Sequence, residues 1–178
     1  KVPKPPADQI PAACKSTKRT VDPSAFVLDM GQILAGFPEI TVRGKKGQKI
    51  TLLVSESLTD EGACNQRQTG RQHYYEYTLK GEGVETWHPR FSYYGFRYIQ
   101  VEGAVLKGQK NPFRLPVIQK IQSCFVYNSA PKVSTFQCSN RIFNEAHRLI
   151  EKAVRSNMQS VFTDCPHREK LGWLEQDH

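Results

Sequence analysis

Polar and apolar positions alternate in short runs through the first two thirds of the chain. In Lys49-Ile-Thr-Leu-Leu-Val-Ser55, Ile50, Leu52 and Val54 fall on one face while Thr51 and Ser55 fall on the other. A period of two is the signature of a half-buried strand. Strand-like segments are read at Phe26–Met30, Glu39–Val42, Lys49–Val54, His73–Leu79, Phe96–Val101 and Val117–Tyr127. Turn residues separate them: Gly44 and Gly47, Thr59-Asp60-Glu61-Gly62, Gly81 and Gly83, and Gly108. Many short strands with glycine turns and no intervening helix predict a mainly β fold, an antiparallel β-sandwich over residues 26–130.

The period changes after Pro131. Ile142, Phe143, Ala146, Leu149, Ile150, Ala153, Val154 and Met158 recur at helical spacing, which predicts one amphipathic helix over 140–158. Ser139 or Asn140 suits its N-cap. Nothing that follows offers this apolar face a partner, so the helix is expected to open a second, helical domain that the chain does not complete. Residues 1–24, studded with proline, read as an extended connector. The domains are therefore 1–24, 25–131 and 132–178.

Composition changes this picture little. Of 178 residues, 38% are hydrophobic and 24% charged, the balance of a globular chain, and no run reaches transmembrane length. The net charge of +8 raises nucleic-acid binding as a possibility. The excess, however, sits in the proline-rich tail and in a loop holding Lys107, Lys110, Arg114 and Lys120, without interleaved aromatics. Solvated loops explain it, and neither nucleic acid nor membrane is an expected partner. Five cysteines form no CxxC pair and no cluster with zinc spacing; one disulfide stays open, with partners unassigned. His73 and His88 lack neighbouring ligands, so no metal and no cofactor is expected. The aromatics Trp87, Phe91, Tyr93, Tyr94, Phe96 and Tyr98 read as core and cross-strand packing before they read as a sugar platform. Arg97 is expected to pair within the sandwich.

The densest chemistry lies in Thr163–His178, TDCPHREKLGWLEQDH. Read structurally, Asp164 caps a helix with Pro166 in its first turn, and Glu169 is a first-turn acid favoured by the dipole. Read functionally, Asp164 and Glu169 are paired carboxylates such as glycoside hydrolysis needs, with Arg168 and Trp173 beside them for a sugar. Cys165 has no His–Asn/Asp arrangement to make it a nucleophile.

DCPHREKLGW resembles the signature D-C-P-x-R-(D)-E-R-x-G-W of glycoside hydrolase family 78, the bacterial-type α-L-rhamnosidases. Three further segments resemble that family in the same order. They are FVLDMGQILAGFPEITVRGKKGQKITLLVSESL, with D-x-G-Q, a following glycine and a strand ending in glutamate; WHPRFSYYGFRYIQVEG; and FQCSNRIFNEAHR. The resemblance covers residues 26–178. It implies a jelly-roll-like sandwich preceding an (α/α)6 barrel, and inverting release of terminal α-L-rhamnose from a carbohydrate substrate. Carried over by position, Glu169 matches the general acid, Asp164 a sugar-binding carboxylate, and Arg168 and Trp173 pocket residues. The motif is one residue shorter than its commonest form. Where that form reads G-W-T-G-D, this chain reads Gly172-Trp173-Leu174-Glu175-Gln176-Asp177, so the sugar-binding aspartate falls on Gln176, or on Asp177 after a one-residue slip.

The family's general base lies beyond His178, so the chain alone is expected to be inactive. Without the rest of a barrel, Thr163–His178 is expected to lack a fixed seat unless a neighbouring molecule covers the helix. A periplasmic or extracellular location follows from the resemblance only; oligomeric state is left open. The rival readings are a non-catalytic carbohydrate-binding sandwich and a related (α/α)6 hydrolase for another sugar.

Overall fold

The computed structural model describes residues 25–67 and 72–167. Seven strands and one helix follow in order: β1 (Phe26–Arg43), β2 (Lys49–Ser55), β3 (Tyr74–Thr78), β4 (Val84–Trp87), β5 (Tyr94–Glu102), β6 (Val105–Leu106), β7 (Val117–Phe125) and α1 (Arg141–Asn157). The strand order is β3-β2-β5-β1-β7-β6, with β4 on the other edge of β1. All pairings are antiparallel except β6 with β7, a two-residue parallel contact.

The main departure from the sequence pattern is β1. Phe26–Met30 and Glu39–Val42 belong to one strand of 18 residues. Its first part pairs with β5, from Phe26 opposite Val101 to Gly36 opposite Tyr94. From Gly36 it pairs with β7, and Ile40–Arg43 also pairs with β4. One continuous strand thus belongs to both layers of the sandwich. Gly36 sits at the crossover, where any Cβ would run into the carbonyl oxygen of Cys124. Only a residue without a side chain lets the strands meet there.

Two bulges explain why simple alternation hid parts of the pattern. Asp29 pairs with Tyr98 and Leu34 with Phe96, so Met30–Ile33 all stand opposite Arg97. Gly31 takes a φ of +86° within this bulge, a value cheap only for glycine. In β7, Lys120 pairs with Thr41 but Ile118 with Val42, leaving Gln119 as an extra residue. Ile118 and Ile121, three apart, are therefore both buried. β4 and β6 were not anticipated; at four and two residues they are too short to show a period.

The core is continuous between the layers. Leu28, Ile50, Leu52, Val54, Ile99 and Val101 meet Ile40, Val42, Ile118 and Ile121 around Phe96. Each such side chain, once buried, contributes roughly 1.5–3 kcal/mol. Glu85 is a buried carboxylate at the edge. It accepts hydrogen bonds from the Tyr77 hydroxyl and from the amides of Lys80 and Gly81 at 3.0 and 2.8 Å. Burial works against its charge, but these donors outweigh burial and hold its carboxyl below the usual value.

α1 begins where the sequence placed it. Asn140 is the N-cap, its Oδ1 accepting from the Ile142 amide at 2.9 Å. Asn144 locks the approach by accepting from the Cys138 amide and donating to the Cys138 carbonyl. No residue of α1 is buried: Ile142 is 74% exposed and Leu149 and Ile150 are 61% exposed. Among the described residues, no helix is long and apolar enough to cross a membrane.

Candidate functional site

The segment after α1 carries the described part of the chemical motif. It leaves the helix through a bridge between Met158 and Phe162, and the Thr163 amide bonds the Asn157 carbonyl at 2.8 Å. Gln159 ties this turn to the sandwich. Its Oε1 accepts from the Tyr93 hydroxyl at 3.1 Å, and its Nε2 donates to the carbonyls of Ser156 and Val126. The Gln159 carbonyl accepts from Asn128 Nδ2 at 2.8 Å. Seven residues on, the Gly95 amide donates to the Pro166 carbonyl at 3.1 Å, and His167 Nδ1 lies 3.3 Å from Glu56 Oε1.

Residues 163–167 therefore do not wait for a neighbouring molecule. They are seated on the sandwich, contrary to the expectation for Thr163–His178, because Gly95 leaves room for them. They are also not a helix start: Thr163 is in a bridge and residues 164–167 are bend and coil. Asp164 is exposed between the two anchors, with Thr163 and Pro166 buried on either side. The segment thus meets the sandwich through Pro166, while Thr163 bonds back through its amide and hydroxyl to the Asn157 carbonyl of α1 and Asp164 is exposed. Arg168, Glu169, Trp173 and Asp177 lie outside the described residues.

The other candidates resolve into packing. Arg97 bridges Asp29 through two bonds, Nε to Oδ1 at 2.8 Å and Nη2 to Oδ2 at 2.7 Å, as expected of an arginine that pairs within the sandwich. Asp29 Oδ1 also accepts from the Gly31 amide at 2.8 Å. The guanidinium beside it, with that amide, holds the Asp29 carboxyl below its usual value against a smaller opposing effect of burial. The D-x-G-Q and G-F-R-Y segments are thus two sides of one clamp across the β1 bulge. His73 is buried and stacks on Tyr94 at 4.1 Å, while His88 stacks on Phe37 and bonds the Pro89 carbonyl. Among the described residues, no three of His, Cys, Asp and Glu converge as metal ligands would.

Cys64 and Cys138 are thiols outside any disulfide, and burial pushes Cys64 up to about 11, which leaves it unreactive. Trp87 stacks on Tyr77, Phe96 is fully buried, and Tyr98 lies under the Arg97 guanidinium. Phe91 departs from the packing expectation: it is fully exposed, with a φ of 60°.

The sequence model of the bacterial α-L-rhamnosidase concanavalin-like domain matches residues 19–127, and that of the six-hairpin glycosidase domain of the same enzymes matches residues 131–178. The chain belongs to the bacterial α-L-rhamnosidase family. Curated family members include an α-L-rhamnosidase of Formosa agariphila, 33% identical over 86% of this chain and 16% of its own length. Another, from Streptomyces avermitilis, is 36% identical over 85% of this chain and 14% of its own length. The chain thus spans about one sixth of the curated relatives it matches.

Among solved family structures, the Streptomyces avermitilis α-L-rhamnosidase complexed with L-rhamnose superposes with a TM-score of 0.69 at 34% identity, over 85% of this chain and 14% of that one. The native Aspergillus terreus enzyme gives 0.67 at 36% identity, over 83% of this chain and 16% of that one. The family's sandwich therefore accounts for β1–β7, and the glycosidase-domain match includes α1 and the segment seated on Gly95.

Proposed function

We propose that the full-length protein is an inverting α-L-rhamnosidase in which Glu169 is the general acid and Asp164 a carboxylate that binds the sugar. Arg168 and Trp173 line the same pocket, with Asp177 as a further polar contact. The observation that carries this reading is the DCPHRE motif within a segment that matches the family's glycosidase domain. Protonation of the leaving oxygen by Glu169 needs a second carboxylate on the opposite face of the sugar, about 6.5–9.5 Å away, to activate water. That base is a glutamate C-terminal to this chain.

The binding-module alternative draws on sandwich aromatics, yet Trp87, Tyr94, Phe96 and Tyr98 are engaged in packing. The reading of another sugar rests on the GWLEQD departure and is tested with the substrate panel.

The test is turnover of aryl α-L-rhamnosides by the full-length protein, with aryl glycosides of other sugars alongside. The expected result is rhamnoside hydrolysis with inversion, lowered by about 10²–10⁴-fold in Glu169→Gln, and none by this chain alone. Undiminished turnover in Glu169→Gln overturns the assignment of the acid. Preference for another glycoside overturns the assignment of the sugar.

A further inference from the structure

The seat beneath residues 163–167 has a shape that packing alone does not require. Gly95 lies in β5, but its φ is not in the left-handed region, so backbone conformation does not demand a glycine there. Space does. A Cβ at position 95 would meet Glu56 Oε1 and Pro166 Cγ at 3.0 Å and the His167 amide nitrogen at 3.1 Å. One neighbour is a rigid ring and another is backbone, so neither yields without moving the segment. The Gly95 amide meanwhile donates to the Pro166 carbonyl.

Glu56 directly follows β2 and faces His167 Nδ1 at 3.3 Å, with both side chains about a quarter exposed. A carboxylate only accepts hydrogen bonds, so Glu56 offers an acceptor to whichever proton the ring carries at Nδ1. The second fastening, Tyr93 to Gln159, comes from the residue two before Gly95. Two successive fastenings from the start of β5, one at each end of 159–167, fix both the position and the direction of the chain as it runs toward the motif. Two residues of chain, about 7 Å at full extension, join His167 to Glu169.

We infer that Glu56 and Gly95 are positioning residues of the sandwich, which seat the Asp164–His167 segment and so aim the acid of the adjoining barrel. The inference rests on the reading of Glu169 as general acid, and its test separates the two. Displacement of an acid by a fraction of an ångström weakens proton donation but leaves a leaving group that needs no proton unaffected. Glu56→Ala and Gly95→Ala are made in the full-length protein and assayed on an alkyl α-L-rhamnoside and on the 2,4-dinitrophenyl α-L-rhamnoside.

The expected result is a loss of kcat on the alkyl substrate of the order of 10–10²-fold, and a several-fold smaller loss on the dinitrophenyl substrate. Glu56→Gln, which keeps an acceptor for Nδ1, recovers most of the activity. Equal losses on both substrates, or no loss on either, overturn the inference while wild-type turnover and its collapse in Glu169→Gln leave the functional reading intact. Should the wild type hydrolyse no rhamnoside, the functional reading fails, and hydrogen exchange decides the seating itself. Faster exchange across 162–167 in Glu56→Ala, with β7 unchanged, is expected. Unchanged exchange there refutes the seat.

Discussion

Replacing Asp29 with asparagine removes half of the clamp across the β1 bulge while keeping its shape. The wild-type carboxylate receives three donors: Nε and Nη2 of Arg97 at 2.8 and 2.7 Å and the Gly31 amide at 2.8 Å. In the Asp29→Asn variant one oxygen remains for the amide, and the Nδ2 group faces a guanidinium that also only donates. A buried charge-assisted bond contributes roughly 1.5–3 kcal/mol. The two side chains are 39% and 27% exposed, so solvent screening takes the pair down to about 1–2 kcal/mol.

For a chain of this length that loss lowers Tm by about 2–8 °C. The carboxyl is held below its usual value of 3.8. Its contribution is therefore complete above that pH and disappears as the pH falls through the lower folded-state value. Wild type and Asp29→Asn should differ at pH 7 and converge in stronger acid. A urea-denaturation cycle of Asp29→Asn, Arg97→Gln and the double variant measures the coupling. The exposed Lys49–Glu76 pair, at 3.4 Å, serves as a control expected near zero. Additivity of Asp29→Asn and Arg97→Gln within about 0.3–0.5 kcal/mol would refute the clamp.

Glu85→Gln should cost about 1–3 kcal/mol at pH 7, because three donors then share a single neutral oxygen. The folded-state carboxyl lies below 4.5, so that deficit should shrink as the pH falls beneath it, read as the gap in urea midpoint between variant and wild type; a constant gap down to pH 3 would disprove it. Gly36→Ala should destabilise the chain by about 3 kcal/mol or more, since its Cβ meets the Cys124 carbonyl where β1 changes partners. Gly47→Ala, with nothing within 4 Å of its Cβ but a φ of +84°, should cost about 1–2 kcal/mol through backbone strain alone. A Tm for Gly36→Ala no lower than for Gly47→Ala would contradict the crossover argument.

Local chemistry made much of this protein readable from its sequence. Ile50, Leu52 and Val54 declared β2 by their period because all three are fully buried while Lys49, Thr51 and Leu53, alternating with them, keep some exposure. A cap at Ser139 or Asn140 and the stripe behind it declared α1, since capping and helical periodicity act within a few residues, and the structure chose Asn140. The motif segments could be matched in order without knowing what any of them touched. Tertiary structure alone decided the rest.

That 26–30 and 39–42 are one strand depends on a bulge whose reason, the Asp29–Arg97 clamp, spans 68 residues. Bulges move the buried face, so a two-residue period cannot be followed through them. The seat for Pro166 and His167 was beyond reach for the same cause. Glu56 and Gly95 stood in recognised segments, yet nothing near either in the chain signals contact with Pro166 or His167. Glycine's role there is set by what passes over it, and a sequence records the missing side chain but not the neighbour that requires it to be missing.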